Sequence, residues 1–510
     1  MTTRRSLLRW AGVAGLAVAA PTAALGGYVW ATAGRGNVGR VRFERRLLIP
    51  PLARPRREPT GALGFDLRLQ TGSTELLPGR HSRTWGVNGG HLGPTLRLPR
   101  GEVVSPVVRN DLPEPTTLHW HGMELPAVAD GGPHQMIPPG GTWRPSWRVD
   151  QPAATLWYHP HPHGATRDHV YRGVAGLILV DDDQPTGLPQ EYGVDDVPLV
   201  LQDKNIAEDG TLEFDGIDFG GVNIVGLLGS EILVNGTWGP VLPVSTELVR
   251  LRVLNGSNAR VYDLAFHDHR AFHLVAADAG LLPAPVEVDH VLLSPGERVE
   301  LVLRVRPGER PLLRSRPPDL GTHALYDRLA GGDDEFEIVQ LVAADRLRPS
   351  PALPDRLPAA APISADPGNE RRFGLGDFTI NGATMDPDRI DFSVPLGVTE
   401  RWRIHNVQGV PHNFHIHNAA FEVTDVDGRP PPPGLAGRKD TVYVPPGSVV
   451  GLAVSFGQHP DPRGPYMFHC HLLAHEDAGM MGQFVVIGPG TEDQVRAPGT
   501  AASPHTGGHR

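Results

Sequence analysis

Disulfide chemistry has almost no material here: 510 residues hold one cysteine, Cys470, so no internal disulfide framework staples the chain. Lysine is nearly missing too, present only at Lys204 and Lys439, and the arginines that replace it are scattered and form no patch. With 47 Lys+Arg against 57 Asp+Glu and a formal net charge of −10, nothing calls for nucleic acid or an anionic membrane surface as a partner. Methionine is sparse, at seven. Long amphipathic runs are absent from the body of the chain. Apolar residues make up 40% but come in short alternating stretches among 61 Gly and 52 Pro, which favours an all-β, loop-rich architecture over disorder, with helices few and short. The length suits about three domains of roughly 150 residues.

What the chain does have is histidine in a pattern. The single cysteine lies in His469-Cys470-His471-Leu472-Leu473-Ala474-His475-Glu476-Asp477-Ala478-Gly479-Met480, which reads as a strand end, a loop and the approach to the apolar run Phe484 to Ile487. Strand side chains alternate faces, so His469 and His471 point one way and Cys470 the other. One peptide therefore addresses two sites. On the cysteine side, a thiolate, an imidazole five residues on and a thioether ten residues on are the soft donors of a blue-copper centre, completed by His412 as His412, Cys470, His475 and Met480. On the other side, His119/His121, His159/His161 and His415/His417 share the His-x-His spacing of His469/His471, which makes eight imidazoles in four pairs. Zinc does no redox chemistry, whereas a Cys/His/His site with an axial Met is a device for one-electron transfer, so copper is the expected metal. Two alternatives stay open: His163 continues the alternation of His159 and His161, and Met481 stands beside Met480.

The segments His119-Trp120-His121-Gly122, Trp157-Tyr158-His159-Pro160-His161, His412-x-x-His415-x-His417 and His469 to Met480 resemble the four copper motifs of the multicopper oxidase (laccase-like) family. Asp195 to Lys204 and His475 to Met481 also resemble its copper-efflux and bilirubin oxidase-like branch. The resemblance implies three consecutive cupredoxin-like Greek-key β-sandwich domains and four coppers: one type 1, one type 2 and two type 3. It places type 1 on His412, Cys470, His475 and Met480, and type 2 on His119 and His415. One type 3 copper would take His121, His159 and His471, the other His161, His417 and His469. It further implies that Asp130 and Glu476 deliver protons, against the plainer expectation of solvated loop acids. The implied reaction is one-electron oxidation of small reductants such as phenols or aromatic amines, coupled to reduction of O2 to water. A cuprous oxidase for copper tolerance is the alternative, but Gln408 and Val410 stand where that sub-type carries an acid and a thioether. A copper-free envelope scaffold is a third reading, which the complete donor set disfavours.

Thr3-Arg4-Arg5-Ser6-Leu7-Leu8-Arg9 and the Ala/Gly-rich segment after it resemble a twin-arginine export signal over residues 1–33, with Ala31-Thr32-Ala33 as a cleavage site. Export in folded form to the periplasm, cell envelope or medium is expected, as a monomer that touches membrane only if this signal stays uncleaved. A Pro-Gly turn opens three similar strand-like segments, Ile137 to Val149, Leu293 to Val305 and Val444 to Phe456, as three copies of one fold would require. The expected domains are 43–181, 195–345 and 372–488, with a solvated Pro/Ala-rich linker at 346–371 and a disordered tail at 489–510. In the middle copy Phe266-His267-Asp268-His269 echoes the ligand motif. With no second His-x-His to close a cluster, those histidines are expected to bind nothing, leaving that domain as a spacer without copper ligands.

Overall fold

The computed structural model describes residues 34–214, 218–219, 222–364 and 368–497; the segment expected as an export signal and the tail histidines His505 and His509 lie outside them. Strands dominate, and the α-helices among the described residues are Thr166–Arg172, Ala324–Ala330 and Leu473–Asp477. The strands form three two-sheet sandwiches.

Alternation drives each one. In Leu63–Leu77 the side chains of Phe65, Leu67 and Leu69 are buried while Asp66 and Arg68 face water, and the buried set packs on Leu96, Leu156 and Ile178 of the opposing three-stranded sheet. The middle sandwich closes Leu199, Leu251 and Val253 of one sheet on Leu264, Leu313 and Val339 of the other. The third sets Trp402 and Ile404 against Phe414, Phe468 and Phe484, with the rings of Phe373 and Trp402 4.6 Å apart. Its five-stranded sheet runs Phe392–Pro395, Met481–Ile487, Tyr466–His469, His412–Ile416, Thr441–Val444, so the two ligand-bearing strands are neighbours.

Three segments lie otherwise than the sequence reading expects. Arg45–Arg46 adds a parallel strand to the middle sandwich by pairing with Pro240 and Val241, so the first domain's expected start is given to its neighbour. The segment expected as a solvated linker is laid on the protein: Leu357 and Ile363 are buried, and Leu357 donates its N–H to Pro283 O. Its spaced apolar residues need cover, which a proline-rich composition does not reveal. Residues 489–497 of the expected tail are also placed, with a 3-10 turn at Glu492–Gln494.

The first and middle sandwiches are locked by buried charge. Glu300 accepts from Arg250 Nε at 2.7 Å, Arg252 Nη1 at 2.9 Å and, across the joint, Thr155 Oγ1 at 2.6 Å. Burial alone would raise this carboxyl, but Arg250, Arg252 and the Thr155 hydroxyl override it and bring it down to about 2 from 4.5. A depressed carboxylate stabilises the fold above its ordinary value and ceases to do so as pH falls toward 2. The change is on the order of 3 kcal/mol. Denaturant melts at pH 5 and pH 2.5 should show wild type losing stability more steeply than Glu300→Gln; equal acid slopes would remove the joint from the explanation.

Candidate metal centres

The His412–Ile416 strand sends His412, Phe414 and Ile416 to one face and Asn413 and His415, with His417 beyond, to the other. The first face belongs to the third sandwich's core, which also holds Cys470, Leu472 and Met480. There His412 Nδ1 and His475 Nδ1 are 3.1 Å apart and stand 3.7 Å and 3.6 Å from Cys470 Sγ. The outer nitrogen of His475 meets Ile224 O at 3.0 Å, which directs Nδ1 at the thiol. Burial pushes that thiol up to about 12 and takes His475 down to about 4. Met480 N donates to His475 O and Met480 O accepts from Cys470 N, closing the loop around the thiol. Met481 instead pairs with His469 across the strands and so shares the opposite face. Sheet geometry therefore favours Met480 over Met481 beside Cys470.

The second face looks at the first sandwich. His415 lies between His469 and Thr441 in register, while His119 and His159 bridge each other in the first sandwich. All eight paired histidines are buried to 1% exposure or less. His163 is exposed, so its alternation with His161 breaks at the turn. His267 and His269 are exposed on the turn after Tyr262–Phe266 and belong to no candidate ligand group among the described residues.

Outer hydrogen bonds aim the rings inward. Nδ1–H donates from His119 to Asp130 O, from His159 to Pro160 O and from His415 to Asp440 O, each at 2.8 Å, and from His417 to Asp130 Oδ2 at 2.8 Å. The inward nitrogens then face one another: His469 Nε2 stands 3.2 Å from His161 Nε2 and 3.3 Å from His417 Nε2. Burial first, and neighbouring imidazoles with it, hold His121, His159, His161, His415, His417 and His469 well below the usual histidine range. Neutral rings with lone pairs converging at this spacing repel one another unless a cation stands between them. His119 Nε2, His415 Nε2 and both ring nitrogens of His471 are buried with no hydrogen-bond partner in the protein. Donors of one ion at roughly 2 Å lie about 3.3 Å apart, so the set fits first-row metal ions.

Both acids marked in the sequence prove buried, not solvated. Asp130, 1% exposed, also places Oδ1 3.4 Å from His119 Nδ1. Glu476 sets its oxygens 3.4 Å from His161 Nδ1 and 3.3 Å from His469 Nδ1 without a hydrogen bond to either oxygen, and burial, reinforced by Asp477, raises its carboxyl well above the usual range. Sequence reasoning missed Asp440, which meets His121 Nε2 at 3.1 Å through Oδ1. The available signal was a charged pair, Lys439-Asp440, set directly before a buried apolar strand.

Multicopper oxidase family models match residues 68–185 and 354–489, the segments that carry the paired histidines. The chain is 36% identical over 456 residues to multicopper oxidase mco of Staphylococcus haemolyticus, covering 87% of this chain and 93% of that protein. It belongs to the multicopper oxidase family. As a multicopper oxidase it is a copper-dependent oxidoreductase that uses O2 as acceptor, and the two convergent donor sets suit that cofactor. It is also 38% identical over 451 residues to the cell division protein FtsP of Sodalis glossinidius, covering 86% of this chain and 92% of that one. Among solved structures, a laccase-like multi-copper oxidase CueO from Ochrobactrum sp., described as active towards lignin model compounds and lignosulfonate, superposes with a TM-score of 0.77 at 35% identity, covering 86% of this chain and all of that one.

Proposed function

We propose that this oxidase takes single electrons from small organic reductants, phenols or aromatic amines, and uses four of them to reduce one O2 to two waters. His412, Cys470, His475 and Met480 hold the type 1 copper; His119 and His415 hold type 2; His121, His159 and His471 hold one type 3 copper, and His161, His417 and His469 the other. The observation that carries the reading is the peptide His469-Cys470-His471, whose middle residue points into one donor set while its flanking imidazoles point into the other. Copper bound at these positions supplies the electron relay and the O2 chemistry.

The chain's own groups do the rest. Asp130 and Glu476, which contact the outer nitrogens of cluster histidines, are the proton donors, since those histidines are committed to metal. Burial of both donor sets keeps bulk water out of them. Near His412, apolar and aromatic side chains stand among polar ones: Tyr326 lies against Gly409, and Gln408 binds Asp377. Val407 and Tyr326 are 57% and 41% exposed, and Phe378 packs its ring 5.0 Å from that of His475, which suits flat organic reductants. Gln408 Oε1, 3.4 Å from His412 Nε2, offers no soft donor to Cu(I). Against a non-enzymatic role, such as a part in cell division like that named for FtsP, stands the complete set of twelve donors. The twin-arginine-like start supports export after folding.

The test is oxygen uptake by copper-loaded protein with phenols, bilirubin, Cu(I) and Mn(II) in parallel. Phenols should be fastest, with four consumed per O2. Exclusive turnover of Cu(I), or hydrogen peroxide as product, would overturn the reading.

A further inference from the structure

Among the described residues the middle sandwich offers no candidate ligand, yet it reaches both metal centres through one turn. Strand Arg298–Arg304 begins just after the Ser294-Pro295-Gly296 turn, the second copy of the repeated Pro-Gly motif. Arg298 has no exposure, and all five of its N–H donors are engaged. Nε gives to Thr155 O at 3.0 Å in the first sandwich; Nη1 gives to Gly296 O at 3.0 Å and Nη2 to Asp278 O at 2.9 Å in its own; the two outer N–H groups fork onto Asp440 of the third, at 2.7 Å and 2.6 Å. One side chain thus ties three sandwiches together.

Through Asp440 the fork reaches a ligand. A carboxylate gripped bidentately has one orientation, and Asp440 spends its Oδ1 on His121 Nε2 at 3.1 Å, with Thr441 Oγ1 at 3.2 Å from the same nitrogen. His121 is thereby reversed. His119, His159, His415, His417 and His469 turn Nδ1 outward, whereas His121 turns Nε2 outward and directs Nδ1 inward, 3.4 Å from His159 Nε2. Nothing in the His-x-His motif distinguishes His121 in this respect; the acceptor supplied by Asp440 does. The same turn also reaches the cysteine segment. Ser294 Oγ and Pro295 O accept from Asn413 Nδ2 at 3.2 Å and 2.9 Å, and Asn413 Oδ1 accepts from His471 N at 2.6 Å. Gly296, at φ +85°, lies so close to the His471 ring that a Cβ would stand 3.1 Å from three of its atoms.

We propose that Arg298 of the middle sandwich is a positioning residue for the copper cluster: through its fork on Asp440 it sets which ring nitrogen His121 presents to metal. This rests on His121 being a cluster ligand. Losing the fork frees Asp440 to rotate, and His121 can then flip and present carbon where nitrogen is needed. An outer partner of this kind is worth roughly 10- to 100-fold in metal affinity.

The experiment compares copper content and the electron paramagnetic resonance (EPR) spectrum of wild type, Arg298→Gln, Asp440→Asn and Glu300→Gln, the last of which loosens the same joint without touching a ligand. Arg298→Gln and Asp440→Asn should bind cluster copper roughly 10- to 100-fold more weakly, with an altered EPR signal, and keep the blue absorption of the Cys470 site; Glu300→Gln should keep both. Full copper and unchanged EPR in the first two variants would overturn the proposal, as would equal copper loss in all three. If Arg298→Gln does not fold, Asp440→Asn decides. A wild-type protein without four coppers would instead sink the ligand assignment on which the proposal stands.

Discussion

A Cys470→Ser protein folds, stays colourless when loaded with copper and does not turn over. The argument runs through ionisation. Burial puts the thiol at about 12, so the apoprotein carries it protonated, and it becomes a thiolate only where a cation takes the proton's place. Copper loading must therefore release a proton, and the thiolate so formed is the source of an intense blue charge-transfer band. A serine hydroxyl ionises far less readily and is a harder donor, so it yields neither the band nor the covalent path into His469 and His471. The substitution is nearly isosteric, and its cost is that of a buried hydroxyl, about 1–3 kcal/mol. Absorption, oxygen uptake and a denaturant melt check the three parts separately. A blue, active variant would refute the central assignment.

Asp130→Asn should keep four coppers and the blue band yet turn over about 100-fold more slowly, within the usual range for a lost general acid. The residue acts twice. Its backbone oxygen and Oδ2 orient His119 and His417, both at 2.8 Å, while Oδ1 has no hydrogen bond and stands 3.4 Å from His119 Nδ1. The loop that carries it is folded tightly: a Cβ on Gly131, at φ +78°, would sit 1.9 Å from Leu118 O. Asparagine keeps the backbone acceptor and a side-chain oxygen for His417, so the metal stays. Its amide cannot take up and release a proton at neutral pH. Electrons should then accumulate on the enzyme because its reoxidation by O2 is slowed. Stopped-flow reoxidation of the reduced variant measures this directly, and an unchanged rate would move the proton role to Glu476.

The two faces of the cysteine segment could be read from the chain because strand alternation is a local rule: His469, Cys470 and His471 declare their faces by position alone. The repeated Pro-Gly turns announced three sandwiches for the same reason. What orients the donors could not be read. Arg298 and Asp440 are single charged residues 142 positions apart, and only the folded joint brings them together. Arginine and aspartate on strands normally face water, so nothing local marks these two as buried. The scarcity of lysine held a clue that composition alone does not interpret, since Lys204 and Lys439 are both buried and Lys439 bridges Asp278 and Glu297 at 3.0 Å and 3.1 Å beside the same joint. Asp130 and Glu476 read as motif-adjacent acids; their enclosure depends on loops closing over them.

The sequence distances across the cluster bear on biosynthesis. His161 meets His469 across 308 residues, His121 meets Asp440 across 319, and the proposed type 1 set is complete only with Met480. A chain that stops short of His469 can hold neither centre, and pairings of such long range slow folding. Copper can therefore meet a complete donor set only once the strands on both sides of the cluster have come together.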